Sequence, residues 1–447
     1  MLRGASDYRR AANIVYDLLA KGFKPLVVVS ALRGVTDTLL SMVEEPRAPA
    51  LAMKKIAELH RRAIVGAAES PFFEEAYLEM SRLLDSLAKT TWAVNVLGEA
   101  TPRTRDYIVS FGERLSAIIM EAALRSLCVK AEWLSGGEAG IVTDDNFGDA
   151  TPIMEETVPR LKARLLPMLE AGVVPVVTGF LGATRSGETT TLGRGGSDYS
   201  AALIGAALGA REVRLYTNVE GVLTANPDLI PHARTIPRLS VEEAMELSYL
   251  GAKKFHPRTF EPLKLNGVPI RILSFYNPEG SSTLVKGSCT EADGVKAVVV
   301  VEGLALVRVK GPTMVGRIGT AAEVMSLARE ARVNIGAISQ PISETVISII
   351  VKRADAPRLA ELVEERLEPR VVESVEVEEP LSALVIVGCG LARTEMLSRV
   401  VSKLVGTKIY MAARGLEGAS LTVLTDPSDA AALAEDIHDE VILGGQA

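Results

Sequence analysis

One stretch of the chain, residues 173–217, decides the fold, and it reads VVPVVTGFLGATRSGETTTLGRGGSDYSAALIGAALGAREVRLYT. It opens with the apolar, β-branched run Val173–Thr178 and closes with a second run of this kind, Val213–Thr217. The Ala-rich segment Ser197–Gly209 between them is typical of a helix. Apolar strands that are connected through a helix favour a mostly parallel sheet with both faces covered. The stretch therefore predicts an α/β architecture.

The same alternation of strands and helices extends over residues 1–287. Residues 42–100 interrupt it with a long helical excursion that has little strand character. We expect one α/β domain, 1–287, built on a mostly parallel open sheet. The further elements predicted in this region are the strands Pro25–Ser30 and Pro269–Leu273 and the helices Tyr8–Lys21, Phe111–Leu127 and Thr157–Ala171.

The sequence changes character after residue 287. The segment KGSCTEADG, residues 286–294, is rich in small and turn residues and predicts a linker. A strand–helix–strand unit then occurs twice, which predicts two small α+β regulatory domains, 297–370 and 380–447. We also consider that the C-terminal strands pair back into the first of these domains. The units comprise Val307–Gly311, Ala321–Ala331 and Thr345–Lys352, then Leu384–Gly388, Glu395–Leu404 and Ala419–Thr425.

Composition excludes several classes of protein. With a net charge of −7 and 4% aromatic residues, the chain lacks the features of a nucleic-acid channel. Its longest apolar stretches fall short of the roughly 20 residues that a membrane helix needs, and its N-terminus has no apolar signal-peptide core. Three widely spaced cysteines and four scattered histidines predict no disulfide framework and no metal site. We therefore expect a reduced, cytoplasmic protein.

The glycine-rich segment Leu192–Asp198 carries the clearest chemical signal. Its three glycines allow the backbone to approach a ligand closely, and the following helix offers free N–H groups to an anion. It is neither a Walker A loop nor a dinucleotide fingerprint, because both of those motifs are absent. An ordinary loop with Ser197 as the helix N-cap is the alternative. The residues alone favour neither interpretation.

Further segments match one known family in the expected order. They are Val29–Ala31 with Gly34–Thr36, Phe111–Ser116, Gly179–Phe180, Gly251–Pro257, and Thr217–Val222 with Asn226–Pro227. Together with the glycine-rich loop, they make essentially the whole chain resemble the aspartate kinases of the amino-acid kinase family. The two repeats resemble the ACT (ferredoxin-like) domains of those enzymes.

This resemblance implies an enzyme that uses ATP and Mg²⁺ to phosphorylate the side-chain carboxylate of L-aspartate. The product would be 4-phospho-L-aspartate, the first intermediate toward lysine, threonine and methionine. The chemistry needs no general base, because a carboxyl group with a pKa of about 4 is already ionised at neutral pH. It needs in-line placement and neutralisation of the phosphate charge.

The resemblance also implies roles for individual residues. Arg194, Asp198 and Lys253 would be catalytic. The substrate would contact Thr36, Glu113, Phe180, Arg194, Ser197 and Asp198. The nucleotide would contact Ser30, Gly195, Gly196, Thr217, Asn218 and Lys253.

Structural roles are the alternatives for several of these residues. Glu113 could form a capping box with Ser110, and Thr36 or Asp198 could cap a helix. Lys253 suits the C-terminal end of a helix for electrostatic reasons. We expect His256, which precedes a proline, to be structural.

The sequence departs from the family at three places. The chain starts after the position where the family has a first strand with Lys-Phe-Gly-Gly, and we expect a mis-set start codon or a truncation. Asn218 stands where the family usually has Asp, and Leu223 and Asp228 stand where it often has Tyr and Arg. The alternatives are a catalytically impaired protein that senses an amino acid, and a kinase of another amino-acid carboxylate. We expect no fused homoserine dehydrogenase domain.

The first repeat is predicted to bind an amino-acid effector, threonine or lysine. In the second repeat, the segment Leu391–Glu395 before the helix contains no glycine. Purely structural packing of the repeats is the alternative. Pairing of such units around a two-fold axis predicts a homodimer or a larger assembly. The predicted effector-binding residues are Gly316, Ile318, Asn334, Ile335 and Gln340.

Overall fold

The computed structural model describes residues 2–44, 49–249, 255–290, 294–367 and 371–444. These residues form two compact units. The first contains the described residues within Met1–Glu220 and Lys254–Gly280, and the second contains those within Gly221–Lys253 and Ser281–Ala447. The boundaries 1–287, 297–370 and 380–447 therefore remain sequence-based predictions of domains.

The helices and strands are numbered in chain order. Up to residue 217 they are α1 Ala5–Ala20, β1 Val27–Val29, α2 Val35–Glu44, α3 Pro49–Ala67, α4 Phe72–Leu97, α5 Pro102–Ser126, β2 Ala131–Leu134, α6 Gly136–Ala139, α7 Met154–Glu170, β3 Val174–Thr178, β4 Leu181–Ala183, β5 Thr189–Thr191, α8 Gly196–Leu208 and β6 Val213–Thr217. They continue with β7 Arg238–Leu239, α9 Val241–Tyr249, α10 Glu261–Asn266, β8 Ile270–Ser274, β9 Ser282–Val285, β10 Ala297–Lys310, α11 Thr320–Glu330, β11 Ile335–Ser339, β12 Val346–Lys352, α12 Ala356–Leu367, β13 Ser374–Val387, α13 Thr394–Lys403, β14 Met411–Arg414, β15 Ser420–Thr425 and α14 Pro427–Ile437.

The first unit is built on parallel strands, as predicted. Strand β3 lies between β1 and β2 and is parallel to both, with Val28 opposite Val177. Strands β6 and β8 form a second parallel pair. All five residues of β3 are buried, which explains its uninterrupted apolar sequence. The predicted strands and helices of this region are present, and most of their ends are shifted by one to three residues. The exception is the helix predicted from Phe111, which begins nine residues earlier, at Pro102. The helical excursion comprises α3 and α4.

Helix α5 organises the core of the first unit. It begins at an N-cap, Thr101, whose side chain accepts a hydrogen bond from the backbone N–H of Thr104, and Pro102 follows in the first turn. Phe111, Leu115 and almost every later residue as far as Leu124 are buried. The helix is therefore enclosed by protein over most of its surface, which places the side chain of any polar residue in this stretch in the interior.

The second unit contains an antiparallel six-stranded sheet in the order β11-β12-β10-β13-β15-β14. Strands β10 and β13 have 14 residues each and pair along their length, with register shifts between Val301 and Leu306. One half of this pair continues into β12 and β11, and the other half continues into β15 and β14. Two separate apolar clusters support the two halves. The two repeats predicted from the sequence thus share one sheet.

The cysteine prediction is wrong. Cys289 and Cys389 form a disulfide bond, although 100 residues separate them in the sequence. The segment of Cys289 runs beside the start of the second repeat, where the Ser240 hydroxyl lies 3.6 Å from Cys289 Sγ and 3.4 Å from Cys389 Sγ. Distance along the chain therefore did not predict distance in space. Cys128 is an exposed free thiol.

None of the described helices combines the length and the apolar character that a membrane span requires.

Candidate active site

The candidate active site begins where two neighbouring parallel strands end. Ser30 and Ala31 follow β1, and Gly179 and Phe180 follow β3. The backbone N–H of Gly179 donates a hydrogen bond of 2.8 Å to the carbonyl of Val29, which holds the two segments side by side. The carboxyl ends of parallel strands are the usual location of ligands in open α/β sheets.

Helix α8 starts against this edge. A Cβ atom at Gly179 would lie 2.8 Å from the Cα atom of Ser197, so only glycine allows the helix to approach so closely. Phe180 adopts a φ of 67°, which is uncommon for a bulky residue. Its N–H donates a 3.0 Å hydrogen bond to Ser200, which stabilises this conformation. The first turn of α8, with Ser197 and Asp198, therefore faces the ends of β1 and β3.

The glycine-rich loop requires its glycines. Gly193 and Gly195 have φ values of 72° and 74°. A Cβ atom at Gly195 would lie 2.4 Å from the Cβ atom of His256, and one at Gly193 would lie 2.2 Å from Asp149 Oδ1. The loop is thus packed tightly on both sides. His256 also accepts a hydrogen bond from the N–H of Arg258, which agrees with its predicted structural role.

Glu113 is buried on α5 next to the β1 edge. Its Oε1 atom accepts a hydrogen bond of 3.3 Å from the N–H of Ala31, and its Oε2 atom has no partner among the described residues. Burial raises the pKa of Glu113 to about 8, which is the expected result for a carboxylate without a cation beside it. The capping-box alternative is wrong, because Ser110 lies inside α5 and donates to the carbonyl of Tyr107.

The other predicted substrate residues surround this edge. Thr36 is half-buried in the first turn of α2, and Val35 beside it packs against the segment of α5 that carries Glu113. Asp198 is half-buried, and the loss of hydration on burial raises its pKa to about 7. Arg194 is exposed on the loop. Gly195 is the N-cap of α8, and no side chain caps this helix, so the capping alternatives for Ser197 and Asp198 are wrong.

Two of the predicted nucleotide residues, Thr217 and Asn218, lie at the C-terminal end of β6 in the first unit. A short connection leads from α8 to β6, so the C-terminal end of β6 is beside the N-terminal end of α8. Thr217 ends β6 and accepts a 3.1 Å hydrogen bond from the N–H of Val219, while Asn218 is exposed. Lys253 lies outside the described residues.

Two charged residues in this unit were not predicted, Asp106, which is buried, and Arg114, which is half-buried. Asp106 accepts hydrogen bonds of 2.9 Å from the N–H of Gly148 and of 2.8 Å from both the N–H and the hydroxyl of Thr191, just before the glycine-rich loop. Arg114 is next to Glu113, donates to the Thr189 hydroxyl and has a buried Nε atom without a described partner. The sequence did offer a signal for these two residues, because Asp106 and Arg114 are charged positions within a mostly apolar helix pattern.

The predicted effector residues occupy two ends of one strand in the second unit. Gly316 has a φ of 70° and donates a 2.8 Å hydrogen bond to Glu344, on the turn that follows Gln340. Ile318, in the same loop as Gly316, is 99% exposed. Asn334 and Ile335 are at the other end of β11, six and five positions before Gln340. Within one chain, the structure therefore brings together the loop and the Gln340 turn but separates them from Asn334.

Comparison with known proteins gives consistent results along the whole chain. Residues 1–274 match the amino acid kinase family, and residues 307–367 match an ACT domain. Aspartokinase 1 of Arabidopsis thaliana is 29% identical over 437 residues, which are 94% of this chain and 75% of that protein.

Two solved structures of E. coli aspartokinase III are also similar. The complex with lysine and aspartate in the T-state has a TM-score of 0.81 and 28% identity, covering 97% of this chain and 96% of the other. The complex with aspartate and ADP in the R-state has a TM-score of 0.78 and 27% identity, covering 98% and 97%. The family match spans more than half of the chain and includes the strand ends, the glycine-rich loop and Glu113. This chain therefore belongs to the amino acid kinase family.

Proposed function

We propose that this protein is an aspartate kinase, which transfers the γ-phosphate of ATP to the side-chain carboxylate of L-aspartate. The observation that carries the proposal is the buried carboxylate of Glu113, whose Oε2 atom has no partner among the described residues. A buried carboxylate is stabilised strongly by a cation. The ammonium group of an amino acid would provide that cation. The likeness to aspartokinases over nearly the whole chain supports aspartate as this amino acid.

Other groups at this edge can bind the α-carboxylate of aspartate and the phosphates of ATP. Arg194 is exposed on the loop and can hold the α-carboxylate of aspartate through paired N–H donors. The close-packed glycines and the N-terminus of α8 present backbone N–H groups to the phosphates. The aspartate side chain then attacks the γ-phosphorus, the bond to the bridging oxygen breaks, and ADP leaves.

The donor set at this edge also fits Mg²⁺. This ion is usually held by nucleotide phosphates and one or two carboxylates, and Asp198 offers a half-buried carboxylate in the first turn of α8. When bound with ATP, Mg²⁺ would neutralise charge on the phosphates. Asp198 and the backbone N–H groups would then position the nucleotide, while Glu113 orients the acceptor.

We propose that an amino-acid effector, lysine or threonine, regulates the enzyme through the first ACT-like repeat. Lysine is the stronger candidate, because the similar E. coli structure contains it. Strand β11 is at one edge of its sheet, and antiparallel pairing with β11 of a second copy would bring Asn334 of one chain near Gln340 of the other. A homodimer or larger assembly would thus bring together effector-binding residues that lie at opposite ends of β11 within one chain.

The wider role follows from the proposed reaction. The product, 4-phospho-L-aspartate, would be the first intermediate of lysine, threonine and methionine biosynthesis, and we propose a cytoplasmic location. Inhibition by one of these amino acids would then be feedback control of the pathway.

The test of the kinase proposal is an assay with ATP, Mg²⁺ and hydroxylamine, which traps an acyl phosphate as a hydroxamate. We expect aspartyl hydroxamate and an equal amount of ADP from L-aspartate. Glutamate, N-acetyl-aspartate and aspartate α-amide serve as comparisons, because they change the chain length, the ammonium group and the α-carboxylate in turn. A higher rate with glutamate, or unchanged use of N-acetyl-aspartate, would contradict the proposed roles.

The effector proposal is tested by inhibition curves for lysine and threonine. If two copies share the site, Asn334→Ala and Gln340→Ala should each raise the half-inhibitory concentration and leave uninhibited activity unchanged. An effect of only one variant would show that a single chain forms the site.

A further inference from the structure

A cluster of metal-binding side chains lies in the second unit. It consists of His232, His438 and Asp439, and one nitrogen or oxygen ligand atom from each residue lies within 4.8 Å of the other two. All three residues belong to the same compact unit, so the cluster does not depend on how the two units are placed. The sequence predicted no metal site, because His232 and His438 are 206 positions apart in the chain.

The side chains converge on one carboxylate oxygen. The Nε2 atom of His232 lies 2.6 Å from Asp439 Oδ1, and the Nδ1 atom of His438 lies 3.0 Å from the same oxygen. Both imidazoles therefore face the same carboxylate oxygen, and a carboxylate oxygen is itself a ligand that a divalent metal ion accepts.

His438 is fixed in place for coordination. Its ring is fully buried, and its Nε2 atom lies 2.9 Å from the hydroxyl of Thr224. A hydrogen bond on one ring nitrogen sets the orientation and tautomer of a histidine whose other nitrogen binds a metal. Thr224 is itself fixed, because its hydroxyl accepts from the N–H of Arg234 at 3.0 Å. Nδ1 of His438 therefore points toward Asp439 on a rigid support.

We propose that His232, His438 and Asp439 bind a single divalent transition-metal ion, most suitably Zn²⁺. Two imidazoles and one carboxylate are ligands that Zn²⁺ accepts, at nitrogen and oxygen distances of about 2.0–2.2 Å. A tetrahedral arrangement at these bond lengths separates ligand atoms by roughly 3.3 Å. The short contacts would open slightly, the two imidazole nitrogens would approach each other, and water would take the fourth position.

The metal would connect two parts of the second unit. His232 is exposed on the loop between Thr224 and Arg234, whereas His438 and Asp439 immediately follow α14. Binding would therefore fasten this loop to the C-terminal helix. Because the unfolded chain does not hold the three ligands together, the ion would stabilise the folded protein. A metal-free triad held by hydrogen bonds alone is the competing explanation.

The experiment uses the tag-free, full-length protein and Co²⁺ as a spectroscopic probe, with Zn²⁺ as competitor. We expect saturable uptake of one Co²⁺ per chain, visible absorption of a four-coordinate ion, and displacement by Zn²⁺. Zn²⁺ should also raise the melting temperature by several degrees.

Three variants assign the ligands. His232→Asn and Asp439→Asn should each lower Co²⁺ affinity at least tenfold and abolish the Zn²⁺-dependent shift in melting temperature. Asp436→Asn removes the same charge from an exposed position on α14 and should bind like the wild type. Melting curves without metal establish that each variant is folded. The exposed thiol of Cys128 is present in every protein, so any binding there cancels in the comparison.

Two outcomes would overturn the proposal. One is the absence of stoichiometric uptake by the wild type. The other is equal Co²⁺ affinity in the wild type, His232→Asn and Asp439→Asn, which would indicate adventitious binding at the surface and a triad held by hydrogen bonds.

Discussion

At the scale of single residues, the site depends on the buried carboxyl group of Glu113, one oxygen of which lacks a partner among the described residues. Glu113 is fully enclosed, and one of its oxygens makes no hydrogen bond with a described residue. Keeping such a group in the interior costs stability, because the ionised form loses its hydration. Residues of this kind are frequent at functional sites, where a ligand provides the missing charge.

The substitution Glu113→Gln tests this role. It keeps the shape of the side chain but removes the charge that would pair with the substrate ammonium group. We expect the KM for aspartate to rise on the order of 10–100-fold, from the loss of one charged hydrogen bond, with little change in the KM for ATP. The matched control is Glu121→Gln, two turns later on α5, which should leave both constants unchanged. Equal effects of the two substitutions would contradict the assignment.

Although Glu113→Gln should weaken aspartate binding, it should make the folded protein more stable than the wild type at alkaline pH. The pKa of Glu113 is raised from 4.5 to about 8 by burial, so the folded state retains a proton that the unfolded state has lost. The free energy of unfolding of the substrate-free wild type should therefore fall between those pH values, relative to Glu113→Gln. Urea unfolding at pH 5 and pH 8.5 measures the difference. A constant difference would show that the carboxyl group is not enclosed.

The pH dependence of activity follows from two groups. Burial raises the pKa of Glu113 to about 8 and that of Asp198 to about 7. Protonation of either removes a negative charge from the site, so kcat/KM for aspartate should rise with pH through this range. In Glu113→Gln, only the transition near pH 7 that belongs to Asp198 should remain, and the maximum of kcat/KM should be lower than in the wild type. A profile that is flat from pH 6 to pH 9 would contradict the involvement of both groups.

At the scale of elements, the glycine-rich loop combines positive φ values with very close packing. Gly195 and Gly187 both have positive φ, 74° and 91°, but only Gly195 has a neighbour where a Cβ atom would be placed. Gly195→Ala should therefore destabilise the protein by about 1–3 kcal/mol and raise the KM for ATP strongly. Gly187→Ala is the control, because a Cβ atom there meets no neighbour and the substitution costs only the strain of a positive φ. Similar losses in both variants would show that the packing against His256 is unimportant.

The elements also show what could be learned from the sequence. Strand β3 was predictable because burial on both faces leaves an uninterrupted apolar run, and α8 because it is rich in alanine, a strong helix former. The shared sheet of the repeats was not predictable in detail, since nothing local reveals that β10 continues from one half of the sheet into the other. Asp106 was missed because its partners, Gly148 and Thr191, are distant in the sequence. Motifs thus located the site, while its supporting contacts required the folded chain.

At the scale of the whole molecule, a disulfide bond joins two distant parts of the second unit into one long covalent loop. The disulfide between Cys289 and Cys389 encloses the first repeat and part of the second, with a sequence separation of 100 residues. Next to it, the buried carboxylate of Glu243 accepts hydrogen bonds from the N–H of Cys389 at 2.9 Å and from Lys296 at 2.8 Å. The region is therefore organised by covalent, polar and ionic interactions together.

The contribution of this disulfide can be measured directly. Cross-linking so long a loop reduces the entropy of the unfolded chain, and its loss should lower the free energy of unfolding by about 2–5 kcal/mol. We expect a reductant to lower the melting temperature of the wild type, and Cys289→Ser to melt at this lower temperature whether or not reductant is present. Cys128→Ser is the matched control, because it removes the exposed free thiol and should respond to reductant like the wild type. A wild type that melts identically with and without reductant would mean that the bond does not stabilise the folded protein, and the arrangement of Glu243, Ser240 and Lys296 would then have to hold this region without it.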